Sequence, residues 1–130
     1  MTKFLPLFLM MVAAPLAVSA QVIISEIMYD LDGPDTAPDR EWIEIQNTGS
    51  AEVNLTGWKF FENNDNHGIA TTTVGQDFVL PAGAYAVIAV KAEQFLADHP
   101  GFAAMLLDSS FSLSNSGETI ALKETSTGPI

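Results

Sequence analysis

The sequence predicts an all-β protein, a sandwich of two sheets built from short strands. Alternation is the first reason: within residues 41–60, Ile43 and Ile45 alternate with polar residues at the two-residue period of a half-buried strand. The second reason is that turn-forming residues recur at short intervals, at residues 47–50 and 56–57. The third is the scarcity of helical spacing. Eight or so short strands with turns between them indicate a two-sheet sandwich with one short helix.

The first part of the chain is predicted to be removed before folding. Lys3 precedes an apolar run over residues 4–18, and small residues follow up to Ala20. A positive start, an apolar middle and a small-residue end are typical of a secretory signal peptide. We therefore expect residues 1–20 to be a signal peptide, residues 21–130 to form one β-sandwich domain, and the product to be exported to the periplasm or the extracellular space.

The apolar run is also too short, and too rich in proline, to be read as a retained anchor. It contains Pro6 and Pro15 and falls below the length of an ordinary transmembrane helix. We therefore expect no membrane span after signal cleavage.

Charge excludes one class of partner. The chain has a formal net charge of −11, and loss of Lys3 with the leader makes it −12. An acidic surface repels phosphate backbones, so the sequence predicts no nucleic-acid binding. The chain has no cysteine, so the mature domain has to be stabilised by burial alone.

The strands can be placed in order from their patterns. Residues 22–29 are apolar on both faces, which predicts a strand that is central or covered by its neighbours. One helix is predicted over residues 92–99, ended by a Pro-Gly pair. The predicted strands are residues 22–29, 41–47, 52–55, 58–62, 77–80, 85–90, 111–113 and 119–123.

Polar segments predict the connections between these strands. Residues 30–40 form an acidic loop, and residues 63–68 form a second polar loop followed by a candidate edge strand at residues 71–74. Residues 114–117 (Ser-Asn-Ser-Gly) read as the turn of a hairpin that joins the last two strands.

The aromatic residues are predicted to serve packing. Trp42 lies on the opposite strand face from Ile43 and Ile45, so its ring is expected to cover an edge or pack under a loop. Trp58 and Phe60 share a face and are expected to form the largest aromatic cluster of the core.

The acidic loop is the one candidate metal site. Calcium takes six to eight oxygen ligands, and carboxylates around a glycine turn can converge on one ion. The pattern is not that of an EF-hand, because Pro34, Ala37 and Pro38 interrupt it. A solvated Asp/Pro/Gly loop is the alternative. The candidate calcium ligands are Asp30, Asp32, Asp35, Asp39 and Glu41.

The sequence predicts no catalytic residues and no other cofactor. Nucleophilic catalysis needs a base beside the nucleophile, and the two histidines are His67, in the second polar loop, and His99, at the helix end. Carboxylate pairs such as Glu41 and Glu44 are expected to stay solvated and ionised, which does not suit an acid catalyst.

Five blocks of the chain resemble the lamin tail domain family in type and order, and in particular its exported bacterial members. They are residues 22–29, 41–47, 54–58, 80–83 and 111–122. The resemblance spans nearly the whole mature chain. It implies an immunoglobulin-like antiparallel β-sandwich that serves as a non-catalytic binding or attachment module, often joined in bacteria to secreted nucleases, other hydrolases or surface proteins. The expected partner is a protein or a component of the cell envelope.

The sequence departs from the family pattern after Glu124, where the family usually continues with a further strand. A fragment of a longer protein is favoured, because an uncapped strand edge is an aggregation liability. A sandwich that lacks its last strand, or one whose edge pairs with a second chain, remains open. If the chain is a fragment, the alternative function is that of an N-terminal accessory domain of a larger secreted hydrolase or nuclease whose catalytic part lies beyond residue 130.

Overall fold

The computed structural model describes residues 22–30, 40–73 and 75–129. The predicted signal peptide and residues 31–39, the middle of the predicted acidic loop, lie outside the described residues. The elements in chain order are β1 (Val22–Met28), β2 (Trp42–Asn47), β3 (Val53–Asn54), β4 (Lys59–Glu62), β5 (Asp65–Thr71), β6 (Val79–Leu80), β7 (Tyr85–Ala89), α1 (Ala92–Asp98), β8 (Met105–Ser109) and β9 (Ile120–Lys123).

Seven strands form one sheet that folds over on itself into two layers. Their order is β1-β2-β7-β8-β5-β4-β9, and β3 pairs with β6 in a separate short ladder. Strand β5 belongs to both layers, since its first half pairs with β4 and residues Ile69 to Thr71 pair with β8. Gly68 lies at this transition, and its carbonyl accepts a hydrogen bond of 2.8 Å from the Ser109 hydroxyl. The predicted all-β sandwich with one short helix is confirmed.

The main core lies between the two layers. Ile43, Ile45, Ile88 and Leu107 from the first layer meet Phe60 from the second, and all five side chains are fully buried. Phe60 packs on Phe111 with ring centroids 4.7 Å apart. The predicted inward face of residues 41–47 is therefore confirmed.

A second, smaller core lies on the outer face of the first layer, where α1 covers it. Strands β7 and β8 are parallel, and α1 is the crossover that connects them. Trp42 packs edge-on against Phe95 of α1, with centroids 5.7 Å apart, and not under an edge or loop as predicted. Phe95 also contacts the rings of His99 and Phe102. This outer cluster, not the predicted Trp58–Phe60 pair, is the largest group of touching rings in the described part of the chain.

The prediction that residues 22–29 are central or covered is wrong, because β1 is an edge strand. The register of β1 against β2 shifts between Ile24 and Glu26, a bulge at Ser25. The bulge puts Ile27 opposite Ile43, on the core face, whereas strict alternation would have put it outside. The apolar residues on both faces of β1 are consequently only part-covered.

The prediction of a polar loop at residues 63–68 is also wrong. Asn63 and Asn64 have positive φ angles of 45° and 62°, the geometry of a two-residue hairpin turn, and β5 begins immediately after them. The predicted edge strand at residues 71–74 does not form: Thr71 ends β5, which is interior to the sheet, while Thr72 and Thr73 are exposed and Val74 lies outside the described residues.

The predicted hairpin over residues 111–123 is the third error. Strand β9 pairs with β4 and not with residues 111–113, which form no strand. Backbone N–H groups of that segment donate instead to two carboxylates: Ser112 to Glu62 at 3.4 Å and Leu113 to Glu41 at 2.7 Å. These side chains replace the ladder that a hairpin would have supplied.

Asn47 connects the end of β2 to the chain around β6. Its side chain is fully buried, and its amide nitrogen lies 2.7 Å from the carbonyl oxygen of Ala51 and 3.1 Å from those of Leu80 and Pro81. The side-chain oxygen accepts a 3.0 Å hydrogen bond from the Gly49 N–H. Asn47 therefore does more than supply the predicted turn.

Candidate binding groove between the sheet edges

The two edge strands of the folded sheet lie alongside each other without pairing. Among the described residues, β1 is hydrogen-bonded only to β2, and β9 only to β4. Their Cα atoms nevertheless approach within 8 Å of each other. Both outer edges therefore present backbone N–H and C=O groups toward a shared seam.

A groove of ≈ 370 Å³ opens at one end of this seam. One wall is formed by Ile27 and Tyr29, which are 43% and 47% exposed. The opposite wall is formed by residues 113–118 and Ile120. An unpaired strand edge that carries exposed apolar side chains can pair with another chain, so we call this feature the edge groove and treat it as the candidate binding site.

The bulge at Ser25 explains why Ile27 lines the edge groove. It turns Ile27 to the core face, but β1 has no further strand beyond it to complete the covering. The hydroxyl of Ser25 donates to the Glu44 carboxylate at 2.8 Å on the outer face, which fixes the bulged residue. The pairing of β1 with β2 after the bulge therefore places the side chain of Ile27 at the open seam.

A buried carboxylate lies behind the groove. Glu62 is only 5% exposed, and its neighbour Glu118 lines the groove. Burial raises the pKa of Glu62, and the nearby Glu118 carboxyl group raises it further, whereas the Ser112 N–H and the charge of His67 lower it. Within the described part of the chain, Glu62 Oε2 has no hydrogen-bond partner.

His67 is the histidine beside this acidic pair. Its Nε2 lies 3.0 Å from Glu62 Oε1, and its side chain is 15% exposed. Ser112 meets Glu62 through its backbone N–H, so this contact offers no hydroxyl nucleophile to the histidine. His99 closes the end of α1 as predicted, with Nδ1 3.0 Å from the Phe95 carbonyl oxygen.

The structure describes two of the five predicted calcium ligands, Asp30 and Glu41. Asp32, Asp35 and Asp39 lie outside the described residues, and Asp30 is exposed next to the groove residue Tyr29. Glu41, expected to be solvated, is only 3% exposed, and its Oε2 accepts the Leu113 N–H.

The geometry therefore assigns Glu41 a structural role through at least one of its oxygens. No group of three potential ligands able to hold a metal ion occurs among the residues that the structure describes. The calcium site stays a prediction, because three of its five residues are not described.

Glu62 and Glu118 were not among the predicted site residues, although the sequence carries a signal for one of them. Residues 60 and 62 share a strand face by alternation, and Phe60 was expected in the core. Glu62 should therefore have been expected to point inward as well. Glu118 carried no such signal, because its position depends on the path of residues 111–119 across the end of the sandwich.

The described part of the chain contains no helix with the length and apolar character needed to cross a membrane.

Comparison with known proteins gives one match. A family model described as Lamin Tail Domain matches residues 15–129, which is most of the chain. No curated protein and no solved structure matches.

Proposed function

Because the chain belongs to the lamin tail domain family, we propose that it is an exported, non-catalytic module that attaches to a protein or cell-envelope partner. The leader pattern of residues 1–20 supports export. The observation that carries the binding role is the exposure of large apolar side chains in and just after the edge strand β1: Ile23 on its outer face, and Ile27 and Tyr29 at the edge groove, are each more than a third exposed.

These side chains are costly to leave in water. Burying a large aliphatic side chain stabilises a complex by about 1.5–3 kcal/mol, so covering the part-exposed Ile23 and Ile27 supplies a substantial fraction of that amount for each. An unpaired edge with apolar side chains also invites aggregation. A partner that covers β1 removes both problems.

The negative charge of the chain disfavours polyanionic partners. At −11 overall, the chain repels nucleic acids and anionic lipid surfaces. A protein, or a protein component of the envelope, is therefore the partner that the surface suits best.

The proposal is tested by measuring how much purified chain binds to envelope fractions of the source cell. The chain is expressed with its own leader, and mass spectrometry of the exported product checks for a start at residue 21. Ile27→Ser is compared with Leu96→Ser, a matched control because Leu96 on α1 is 46% exposed against 43% for Ile27. Circular dichroism confirms that both variants fold.

We expect Ile27→Ser to reduce the bound fraction strongly and Leu96→Ser to leave it unchanged. Equal binding by the two variants would exclude β1 as the attachment surface. Retention of the chain in the cytoplasm would exclude an exported module.

A further inference from the structure

The edge groove contains one acidic side chain, Glu118, for which the described residues supply no cationic partner. Glu118 lines the groove and forms no ion pair with any residue in the described ranges. Glu62 lies directly behind it, with one carboxylate oxygen buried and unpartnered. Glu118 therefore places an exposed carboxylate in a groove whose other lining is partly apolar (Ile27, Tyr29, Leu113 and Ile120) and partly polar.

The chain has few cations with which to balance this charge. Lys123, on β9, is buried, and its ammonium group lies 4.9 Å from the centre of the Phe61 ring. Residues 31–39, which follow the groove residue Tyr29 by one position, contain three aspartates and neither lysine nor arginine. Within the described ranges no lysine or arginine forms an ion pair with Glu118, so we assign the cation to another molecule.

We propose that the edge groove binds an extended, cationic segment of a partner protein, with a lysine or arginine side chain against Glu118 and an apolar side chain, two positions away in the segment, between Ile27 and Ile120. This inference rests on the proposed binding function and specifies the chemistry of the partner. Charge complementarity selects the occupant: the exposed carboxylate of Glu118 lies in the same groove as the apolar side chains of Ile27 and Ile120, which favours a segment that carries both a cation and an apolar residue.

The seam determines that the segment is extended. An added strand can pair with the free edge of β1, as in other cases of β-strand addition. The bulge at Ser25 interrupts the regular edge, so the pairing is confined to the stretch from Glu26 to Met28 beside the groove. A short segment with alternating side chains fits, because one side chain then enters the groove while the next points away from it.

A second copy of this chain is a poorer occupant. Its own groove region is equally acidic, and each copy has a net charge of −11, so two copies repel each other. Pairing of two β1 edges would also place Glu26 of each copy in the interface. Self-association is therefore an outcome that the test must be able to detect.

The test uses the full chain as exported, with a fluorescently labelled, end-blocked peptide of the repeat Val-Ser-Lys-Ser as probe, so that valine and lysine share one face of the extended peptide. The control peptide replaces each lysine by glutamate. Fluorescence anisotropy measures affinity, and amide NMR shifts map the contact. Glu118→Gln is compared with Glu93→Gln, which changes an exposed glutamate on α1, and melting temperatures show whether each variant is folded.

We expect the lysine peptide to bind and the glutamate peptide not to bind at the same concentration. Glu118→Gln should weaken binding by roughly fivefold, the effect of losing one charged pair, while Glu93→Gln has no effect. The largest amide shifts should fall in residues 26–28 and 113–120. Glutamine at position 118 can still accept the Ser114 N–H, so the loop conformation should be retained.

Equal binding of both peptides, an unchanged affinity in Glu118→Gln, or shifts located on α1 would overturn the inference. Concentration-dependent dimerisation that Ile27→Ser abolishes would overturn it too, by identifying a second copy as the occupant. Envelope binding that depends on Ile27, without binding of the lysine peptide, would refute this inference and leave the proposed function standing. Binding of the lysine peptide without envelope binding would refute the proposed function and leave this inference standing.

Discussion

Replacing Asn47 by alanine tests whether one buried amide secures the junction of β2 and β6. The change removes a donor group that faces three carbonyl oxygens and an acceptor that serves the Gly49 N–H. The amide has two hydrogens for those three oxygens, so about three net hydrogen bonds are lost. The strand ladders around it are unchanged by the substitution.

The cost can be worked out from these contacts. A typical intramolecular hydrogen bond contributes about 1 kcal/mol net, and a buried group left without a partner costs about 1–3 kcal/mol. The Ala51 carbonyl can be rehydrated because Ala51 is exposed, whereas Leu80 is fully buried and its carbonyl loses a partner. We expect a loss of about 3 kcal/mol in the free energy of unfolding, or a fall of about 12 °C in melting temperature for a domain of this size.

The assay is urea unfolding followed by circular dichroism, with Asn54→Ala as the matched control. Asn54 also caps a turn, but its single bond of 2.9 Å, from the Thr56 N–H, is exposed, so its loss should cost less than about 1 kcal/mol. Asn47→Asp should destabilise at least as much as Asn47→Ala at neutral pH, because a carboxylate would face the same carbonyl oxygens. If Asn47→Ala and Asn54→Ala lose equal stability, the account of Asn47 is wrong.

Three further predictions follow from the core and the acidic groups. Because burial and Glu118 raise the pKa of Glu62 in the folded protein, ionisation of Glu62 opposes folding, and the melting temperature should fall as the pH rises above 4.5, the ordinary pKa of a glutamate. Glu62→Gln should remove this fall from a profile of melting temperature against pH. A profile that the substitution leaves unchanged would contradict the prediction. Phe60→Ala should cost about 3–5 kcal/mol in urea unfolding, because its side chain is fully buried against Phe111, and a loss below about 1 kcal/mol would show that it is not central to the core. The calcium hypothesis predicts a calcium-dependent rise in melting temperature that Asp30→Asn reduces, and a melting temperature unmoved by calcium and by chelator rejects it.

The fold class could be predicted from alternation because burial on one face of a strand leaves a local pattern. Ile43 and Ile45 were correctly placed inside, and the helix over residues 92–99 was correctly placed. Strand β8 was missed, because residues Met105 to Ser109 include no β-branched residue. Its parallel partner β7 is also separated from it in the chain by α1, so no hairpin signal marks the pairing. Pairing between distant segments leaves no mark in a short window.

The candidate site was less predictable for the same reason. A bulge at Ser25 reverses the facing of every later residue in β1, and nothing in the local alternation announces it. The predicted hairpin after Phe111 failed because Glu41 and Glu62, distant in sequence, accept the amides of residues 112 and 113. Side chains that satisfy a remote backbone cannot be identified without the tertiary contacts.

The passage of β5 from one layer to the other has a mechanical consequence. Strand β5 joins the two layers near Gly68, because it pairs with β4 before that residue and with β8 after it. At the opposite margin of the described sheet, the edge strands β1 and β9 are not paired with each other. Breathing motions of the sandwich should therefore concentrate at that margin, with amide exchange fastest in β1 and β9 and slowest where β5 meets β8. A ligand bound at this margin would hold β1 and β9 together, and it should therefore slow amide hydrogen exchange also in strands that it does not touch.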